Sequence, residues 1–558
     1  MRQLSPLTQV GGHGSYYGLP TMGRADALVI GAGPNGLVAA NLLADAGWSV
    51  VVLEAQPEPG GAVRSAELTH PGYVHDVFSA FYPLGVASPV LRALDLEAHG
   101  LRWRRAPLAL AHPDGTDRAA VLAPTVDETA RSLDASAAGD ADAWRDVYSE
   151  FERISDHLLS AMTSPFPPVR GASRLALALG PRGLLEFGRT SLLSVRRLAR
   201  ERFGGEGAAL LLAGNALHSD VGVDTPPSGF LGWFLTCVGQ QHGFPVPEGG
   251  AGRFTDALVA RLVARGGTIR CGAQVTGIVV RARRAVAVTL ADGTTVDAGR
   301  AVIADVGAPA LYRRLVGEDH LPAAFVRALD RFEYDHGTFK VDWALSGPIP
   351  WRAPDAHRAG TVHVCTSMDA ATEYGAQLAG GLVPARPFVL VGQMNKADAS
   401  RSPAGTETVW AYSHVPLSPR GDALGPDAPV EITGRWDERE SEAYADRLES
   451  QIEAQAPGFR SLVTARHLLP PPALEARDAN LVGGAIGGGT MAFSQQLVFR
   501  PVPGLGRAET PVRGLFLASA SAHPGGGVHG ACGANAARAA IAADRIRKVT
   551  GRLRAPTG

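Results

Sequence analysis

The stretch "ADALVIGAGPNGLVAANLLADAGWSVVVLEAQPEPGGAVRS", Ala25 to Ser65, decides how this chain begins to fold. "ALVI" is a short apolar run of strand type, and Gly31, Gly33 and Gly36 follow it as GxGxxG. Leu37, Ala40, Leu43 and Ala44 then recur at helical spacing until Gly47. A second apolar strand, "SVVVL", stops at Glu54, 23 residues after the first glycine. Strand, glycine turn, helix, strand and acid in that order predict a βαβ unit that binds a dinucleotide. Gly31 permits the tight turn, Gly33 lets backbone approach a pyrophosphate, and Gly36 allows helix and strand to pack closely. The helix N-terminus offers unpaired N–H groups and the positive end of its dipole to the phosphates. Glu54 suits the adenosine ribose hydroxyls, and its charge disfavours a 2′-phosphate.

Past Glu54 the chain runs on as "PGGAVRS", with Gly60 and Gly61 six and seven residues after the acid. With that extension the block resembles the FAD-binding flavoproteins of the amine oxidase and phytoene desaturase superfamily. The resemblance implies that the glycine pair carries the chain past pyrophosphate and ribose, with Arg64 as a further contact. It also implies that the segment from Phe244 to Val280, with Gly249 and Gly250 near its start, rejoins the FAD domain. There Val275 is expected to meet the adenine through its backbone.

The C-terminal stretch "RGLFLASASAHPGGGVHGACGANAARAAIAADRI" reads as a buried strand, Gly514 to Ser519, then a glycine-rich turn. A helix follows from about Ala534 to Ile546. This is again a dinucleotide-contact geometry, without the acidic ribose partner. It resembles the C-terminal FAD motif of phytoene desaturases, carotenoid isomerases and pyridine-nucleotide-disulfide-like relatives. By that resemblance Ser519, Gly526, Gly527, Val528 and Asn535 are cofactor contacts. His523 and His529 flank the glycine triplet, but no nearby carboxylate or thiol pair completes a metal shell, so no metal is expected. They read either as flavin neighbours with a catalytic part or as turn residues.

At 558 residues the chain exceeds one simple core. Its 45% hydrophobic and 19% charged content is that of a globular protein, and a net charge of -1 gives no reason to expect nucleic acid as a partner. Cys237, Cys271, Cys365 and Cys532 are scattered, which suits buried thiols in a reduced compartment. Residues 1–24 read as a flexible arm, with Met22 an alternative start. Residues 25–100, 240–310 and 481–550 are expected to form a discontinuous FAD-binding domain. Residues 101–239, read as mostly helical, and 311–480, read as strands plus the helix "ERESEAYADRLESQIEAQ", are expected to form the substrate domain. The fold expected is therefore α/β: a Rossmann-like FAD-binding domain of the glutathione-reductase/amine-oxidase type with an inserted α+β substrate domain. The arginine-rich segment 182–203 suits a peripheral membrane contact as well as a plain helix. No charge-free apolar run is long enough for a membrane span, so a cytoplasmic location, in part membrane-associated, is expected.

FAD itself would carry the redox chemistry, and no Ser-His-Asp or Cys-His set is evident. "HGTFKVDWALSGPIPW" resembles the amine oxidase segment whose lysine holds a water against flavin N5, which makes Lys340 the catalytic candidate. Only three lysines occur in the chain, Lys340, Lys396 and Lys548. Trp343, Trp351, Trp410 and Tyr412 are candidates both for a pocket wall and for core. The function expected is hydride transfer from a hydrophobic, isoprenoid or polyene substrate to flavin, with oxygen or a quinone as electron acceptor. The alternatives are a peroxide-forming flavin amine oxidase and a redox-neutral carotenoid-type isomerase. A binding protein of the GDP-dissociation-inhibitor kind fits less well, because both FAD motifs are intact.

Overall fold

The computed structural model of the protein describes residues 16–17, 25–426 and 428–554. Two large sheets organise it. The first has a parallel core in the order Thr268–Arg270, Val50–Leu53, Ala25–Ile30, Thr295–Ala304, with Leu515–Leu517 pairing the end of the last strand. Three distant parts of the chain thus supply one parallel sheet. Alternation along Ala25–Ile30 turns Ala27 and Val29 to one side, under the helices Pro34–Asp45, Gly252–Ala264 and Ala531–Arg554. Leu28 and Ile30 face the other side with Leu53, Val302 and Leu517. The antiparallel strands Val275–Arg281 and Arg284–Leu290 extend this sheet, and the turn at Asp292–Gly293 joins the second of them to Thr295–Ala304. Tyr16–Tyr17 adds an antiparallel edge beside Thr268–Arg270. The rest of the expected N-terminal arm, with Met22, lies outside the described residues.

The second sheet has seven strands, in the order Val463–Leu469, Gly337–Leu345, Glu407–Val415, Val389–Gln393, Ala359–Val364, Leu108–Pro113, Ala119–Leu122. The last two correct the reading of the segment after Asp95 as mostly helical: "LALAHP" and "AAVL" form a strand pair around Asp114–Arg118. Both strands are almost wholly buried and so lack the alternation that marks a half-buried strand. One face of this sheet, with Phe339, Val341, Trp343, Val391 and Val409, packs on the helix Glu438–Gln455 through Tyr444, Leu448 and Ile452. The remaining helices, chiefly Asp140–Thr163, Val169–Ser191 and Ser228–His242, make a separate cluster around Trp144, Phe151 and Trp233. The C-terminal helix, expected over 534–546, runs from Ala531 to Arg554. Among the described residues no helix is long and apolar enough to cross a membrane.

Candidate active site

Gly31 has φ +91° and donates its N–H to Leu53 O at 2.8 Å, which closes the strand–helix turn. A Cβ on Gly36 would lie 2.2 Å from Gly31 O, so only glycine lets the helix start this close to the strand. The side of Gly33 that a Cβ would occupy is filled by Asp305, whose Oδ2 would be 2.9 Å away and which accepts the Gly36 N–H at 2.7 Å. Asp305 follows directly on Thr295–Ala304, so two parallel strands end against one loop. Burial pushes its carboxyl up to about 8, and the Asp478 and Glu54 carboxylates add to the rise. Near neutral pH it is therefore held mostly as the uncharged acid, which avoids setting an anion against a pyrophosphate.

Glu54 is buried at the end of its strand. It accepts from the N–H groups of Ala32 at 2.7 Å and Gln56 at 2.8 Å, while burial raises its pKa. Gly60 N–H donates to Ala32 O at 2.9 Å, and a Cβ on Gly61 would lie 3.0 Å from Gly33 Cα. The second glycine pair therefore lies directly on the first glycine loop. Arg64 is engaged by protein: its Nε donates to Gly61 O and its Nη2 to Arg477 O, both at 3.0 Å. Ala273 N–H donates to Glu54 O at 2.7 Å, which sets Val275 beside the acid end of the loop.

The C-terminal motif meets the N-terminal one backbone to backbone. A Cβ on Gly533 would lie 2.0 Å from Asn35 O, and one on Gly530 would lie 2.9 Å from the Val38 side chain. The two glycine-led helices thus touch at their first turns. A Cβ on Gly526 would fall 2.8 Å from Gly487 O, so the glycine triplet is stacked on the loop "GGAIGGG", 483–489. That loop hangs on Asp335, whose carboxylate accepts from the N–H groups of Ile486, Gly487 and Gly489. Arg500, fully buried, ties it to the strand end by donating to Gly487 O at 3.0 Å, Thr490 O at 3.0 Å and Ala520 O at 2.8 Å. No carboxylate lies within ion-pair distance of Arg500 among the described residues. Ser519 is buried, and its Oγ accepts the Ser521 N–H at 3.3 Å. Gly527 and Val528 lie against the helix 83–87, near Leu84 and Gly85.

The residues present fit FAD. Asn35 Oδ1, Asn535 Oδ1 and Asn535 Nδ2 are buried without a hydrogen-bond partner among the described residues, and all three belong to the first five residues of the two touching helices. Polar atoms in that state are rare and suit a polar ligand at this crossing. The two histidines have duties within the protein. His529 Nδ1 accepts the Ala531 N–H at 3.0 Å at the helix start, and His523 Nε2 donates to Ser164 O at 3.1 Å. Burial lowers both to about 4, so both rings are neutral at pH 7. Among the described residues no cluster of His, Cys, Asp and Glu could hold a metal ion.

Lys340 lies on Gly337–Leu345, on the sheet face opposite the Phe339 core. Its register partner is Tyr412, and Thr338 pairs His414. Its Nζ is 2.5 Å from both oxygens of Asp342, and His75 Nδ1 is 3.4 Å from Asp342 Oδ1. An ammonium has three donors, and Asp342 takes two. Burial by itself would raise the Asp342 carboxyl, but Lys340 and His75 outweigh it and hold the pKa below the usual value. His75 pairs Ala66, just past the Gly60–Gly61 turn, so this face touches the chain that leaves the N-terminal glycine loops. Farther along it, Trp410 and Tyr412 stack at 6.0 Å with planes 8° apart, and His218 Nε2 lies 3.1 Å from His363 Nε2. Trp343 and Trp351, by contrast, are core residues of the opposite face. Asp305, Asp335, Arg500 and Asn35 were not read as site residues. Asp305 had a usable signal, an acid at the end of a buried strand, but the other three act through segments far away in sequence.

A two-part glycine cradle on a parallel sheet, under an inserted sheet domain, defines an FAD-binding oxidoreductase. The chain matches the family of flavin containing amine oxidoreductases over residues 35–373, and it belongs to that family. It is 30% identical to pyridine nucleotide-disulfide oxidoreductase domain-containing protein 2 of Mus musculus, with 92% of each chain covered. It is 23% identical to one of the subunits of limonene dehydrogenase from Castellaniella defragrans, over 92% of this chain and 94% of that one. Among solved structures, an oxidoreductase from Methanosarcina mazei shares the fold with a TM-score of 0.56 at 16% identity, covering 92% of this chain and 99% of that one.

Proposed function

We propose that this oxidoreductase removes hydride from a hydrophobic substrate of isoprenoid or polyene type and passes the electrons to oxygen or a quinone. The observation that carries this reading is the character of the Lys340 sheet face. On that face Thr338, Tyr412 and His414 accompany Lys340, and the one carboxylate among them, Asp342, is neutralised by Lys340; farther along, Leu390 and Trp410 are packed under the helices Glu206–Ala216 and Met368–Ala379, where His363 lies against Gly214. Burial holds the imidazoles uncharged, His218 at about 4 and His414 at about 3. Such a wall desolvates an uncharged substrate at little cost and an ammonium at a high one. Trp410 and Tyr412 stack on each other along one strand and so make a single wall, not the two facing rings that would cage an amine. A cleft of about 610 Å³ in the helical cluster joins Leu179, Phe187, Leu198 and Trp233 to a charged rim of Glu150, Arg153, Arg182, Glu186 and Arg202. The similarity to part of a limonene dehydrogenase, an enzyme named for a terpene, points the same way.

When bound, FAD supplies the hydride acceptor at N5. The chain's part is to hold it between the two glycine loops, to exclude water with the aromatic sheet face, and to offer the third Lys340 N–H as a fixed donor. Anaerobic titration of the bound flavin tests the reading. Bleaching of the flavin band by isoprenoid or polyene substrates, with none by primary amines, is the expected result. Rapid bleaching by amines, with peroxide formed on admitting oxygen, would overturn it.

A further inference from the structure

Nine of the thirteen exposed large apolar side chains of the described residues fall in two segments, 169–192 and 486–499. The helix Val169–Ser191 is broken at Gly180 (φ +67°), just before Pro181, and in its two stretches and the residue after them Val169 is 65% exposed, Leu177 83%, Leu185 77% and Leu192 65%. The inner side of the same helix already packs Leu175, Leu179 and Phe187 into the helical core. A helix apolar on both sides needs a second partner on the outer one. In the other segment Phe493, Leu497 and Phe499 are exposed. The two segments are joined, since Phe166 N–H donates to Gly506 O at 3.1 Å and Arg507 Nε donates to Phe166 O at 2.9 Å.

Charge says what the partner is. From Ser164 to Leu192 the exposed Glu186 is the one acid, and from Leu481 to Ala508 the sequence has no Asp or Glu, in a chain whose net charge is -1. Arg170, Arg174 and Arg182 are exposed among these apolar residues, and none has an acidic side chain within ion-pair distance among the described residues. Of the arginines expected to meet lipid further on, four are paired, Arg189 and Arg197 with Glu201, Arg196 with Asp224 and Asp369, and Arg202 with Glu150, which leaves Arg200 exposed beyond Arg182. The contact expected over 182–203 therefore moves back along the chain. Exposed leucines standing beside unpaired arginines on both stretches of the helix match an interface of acyl chains under anionic headgroups.

We infer that the face formed by the helix Val169–Ser191 and the segment 493–499 docks the protein on the surface of an anionic lipid bilayer, without spanning it. Ser164, at the start of this face, accepts the hydrogen bond of His523, so docking would bring the bilayer beside the C-terminal glycine loop. The inference stands apart from the substrate reading, because lipid binding is measured with no substrate present.

The test is flotation of the flavin-loaded, full-length protein with vesicles of phosphatidylcholine alone and of phosphatidylcholine mixed with phosphatidylglycerol. Binding to the anionic vesicles that weakens as salt rises is expected, with little on the neutral ones. Arg174→Gln with Arg182→Gln should weaken binding by about 25-fold, roughly fivefold for each charge. Leu177→Ser with Leu185→Ser should weaken it by about 100-fold. Retained flavin absorbance and an unchanged melting temperature show that each variant is folded. No flotation of the wild type on anionic vesicles would overturn the inference, as would flotation that both variants leave unchanged. So would a wild type that ignores vesicles and self-associates through these leucines, which would make the face an interface between copies.

Discussion

Asp305 sets a pH dependence that a single substitution should remove. Its carboxyl is held at about 8 by burial against the glycine loop, with the Asp478 and Glu54 carboxylates adding to the rise, against an ordinary value of 3.8. Between those two values the folded protein keeps a proton that the unfolded chain has lost. Stability on this account is full below about pH 4 and falls as pH rises, by about 1.4 kcal/mol per pH unit, or about 5 kcal/mol by pH 8. Asp305→Asn keeps an oxygen to accept the Gly36 N–H and removes the titration. The buried histidines contribute the opposite slope, since pKa values near 4 make the fold more stable as pH rises toward 6.5. They act equally in both proteins, so the difference between wild type and variant isolates Asp305. Urea unfolding followed by tryptophan fluorescence at pH 5, 6, 7 and 8 measures it. The variant should match the wild type or fall about 1 kcal/mol below it at pH 5, and exceed it by about 3 kcal/mol at pH 8. Parallel curves across this range would refute the assignment of a buried, neutral acid behind the glycine loop.

Asn535→Leu removes two buried, unpartnered polar atoms, so the flavin-free protein should be unchanged or more stable by about 1 kcal/mol. Its FAD dissociation constant, from titration of the apoprotein, should rise about tenfold, and an unchanged affinity would remove Asn535 from the site. Lys340→Met leaves Asp342 buried without its ammonium and should cost about 3 kcal/mol in urea unfolding, most of it recovered in Lys340→Met/Asp342→Leu. A single variant as stable as the wild type would mean that the ion pair does not hold this strand face.

The parts of the fold legible in the sequence are those whose signal is local. The nucleotide-binding βαβ unit, the hairpin at Asp292–Gly293 and the strand at 337–345, which alternates polar and apolar residues, each carry their own period or turn chemistry within a dozen residues. The strands Leu108–Pro113 and Ala119–Leu122 were missed because they join a sheet whose other strands come more than 200 residues later. Buried throughout, they show no alternation of their own. The exposed leucines of Val169–Ser191 were hidden for a different reason. The segment is apolar on both sides, and only packing shows which side the core takes.

The glycines make the same point about the site. Spacing in Gly31, Gly33 and Gly36 suggested local duties: a turn, an approach to phosphate, a tight helix. In the structure the Cβ that Gly33 lacks would meet Asp305, the one that Gly61 lacks would meet Gly33, and the one that Gly533 lacks would meet Asn35. Gly526 is likewise required by Gly487. These requirements run between segments that are distant in sequence, and together they bring five stretches of chain into backbone contact at one place. A cradle built this way depends on every stretch at once. Any side chain at Gly533 would push the C-terminal helix, with Asn535, off the backbone of Asn35 in the first turn of Pro34–Asp45. Flavin binding should therefore fail at Gly533 as readily as at Gly33, although only the N-terminal glycines carry the dinucleotide signature.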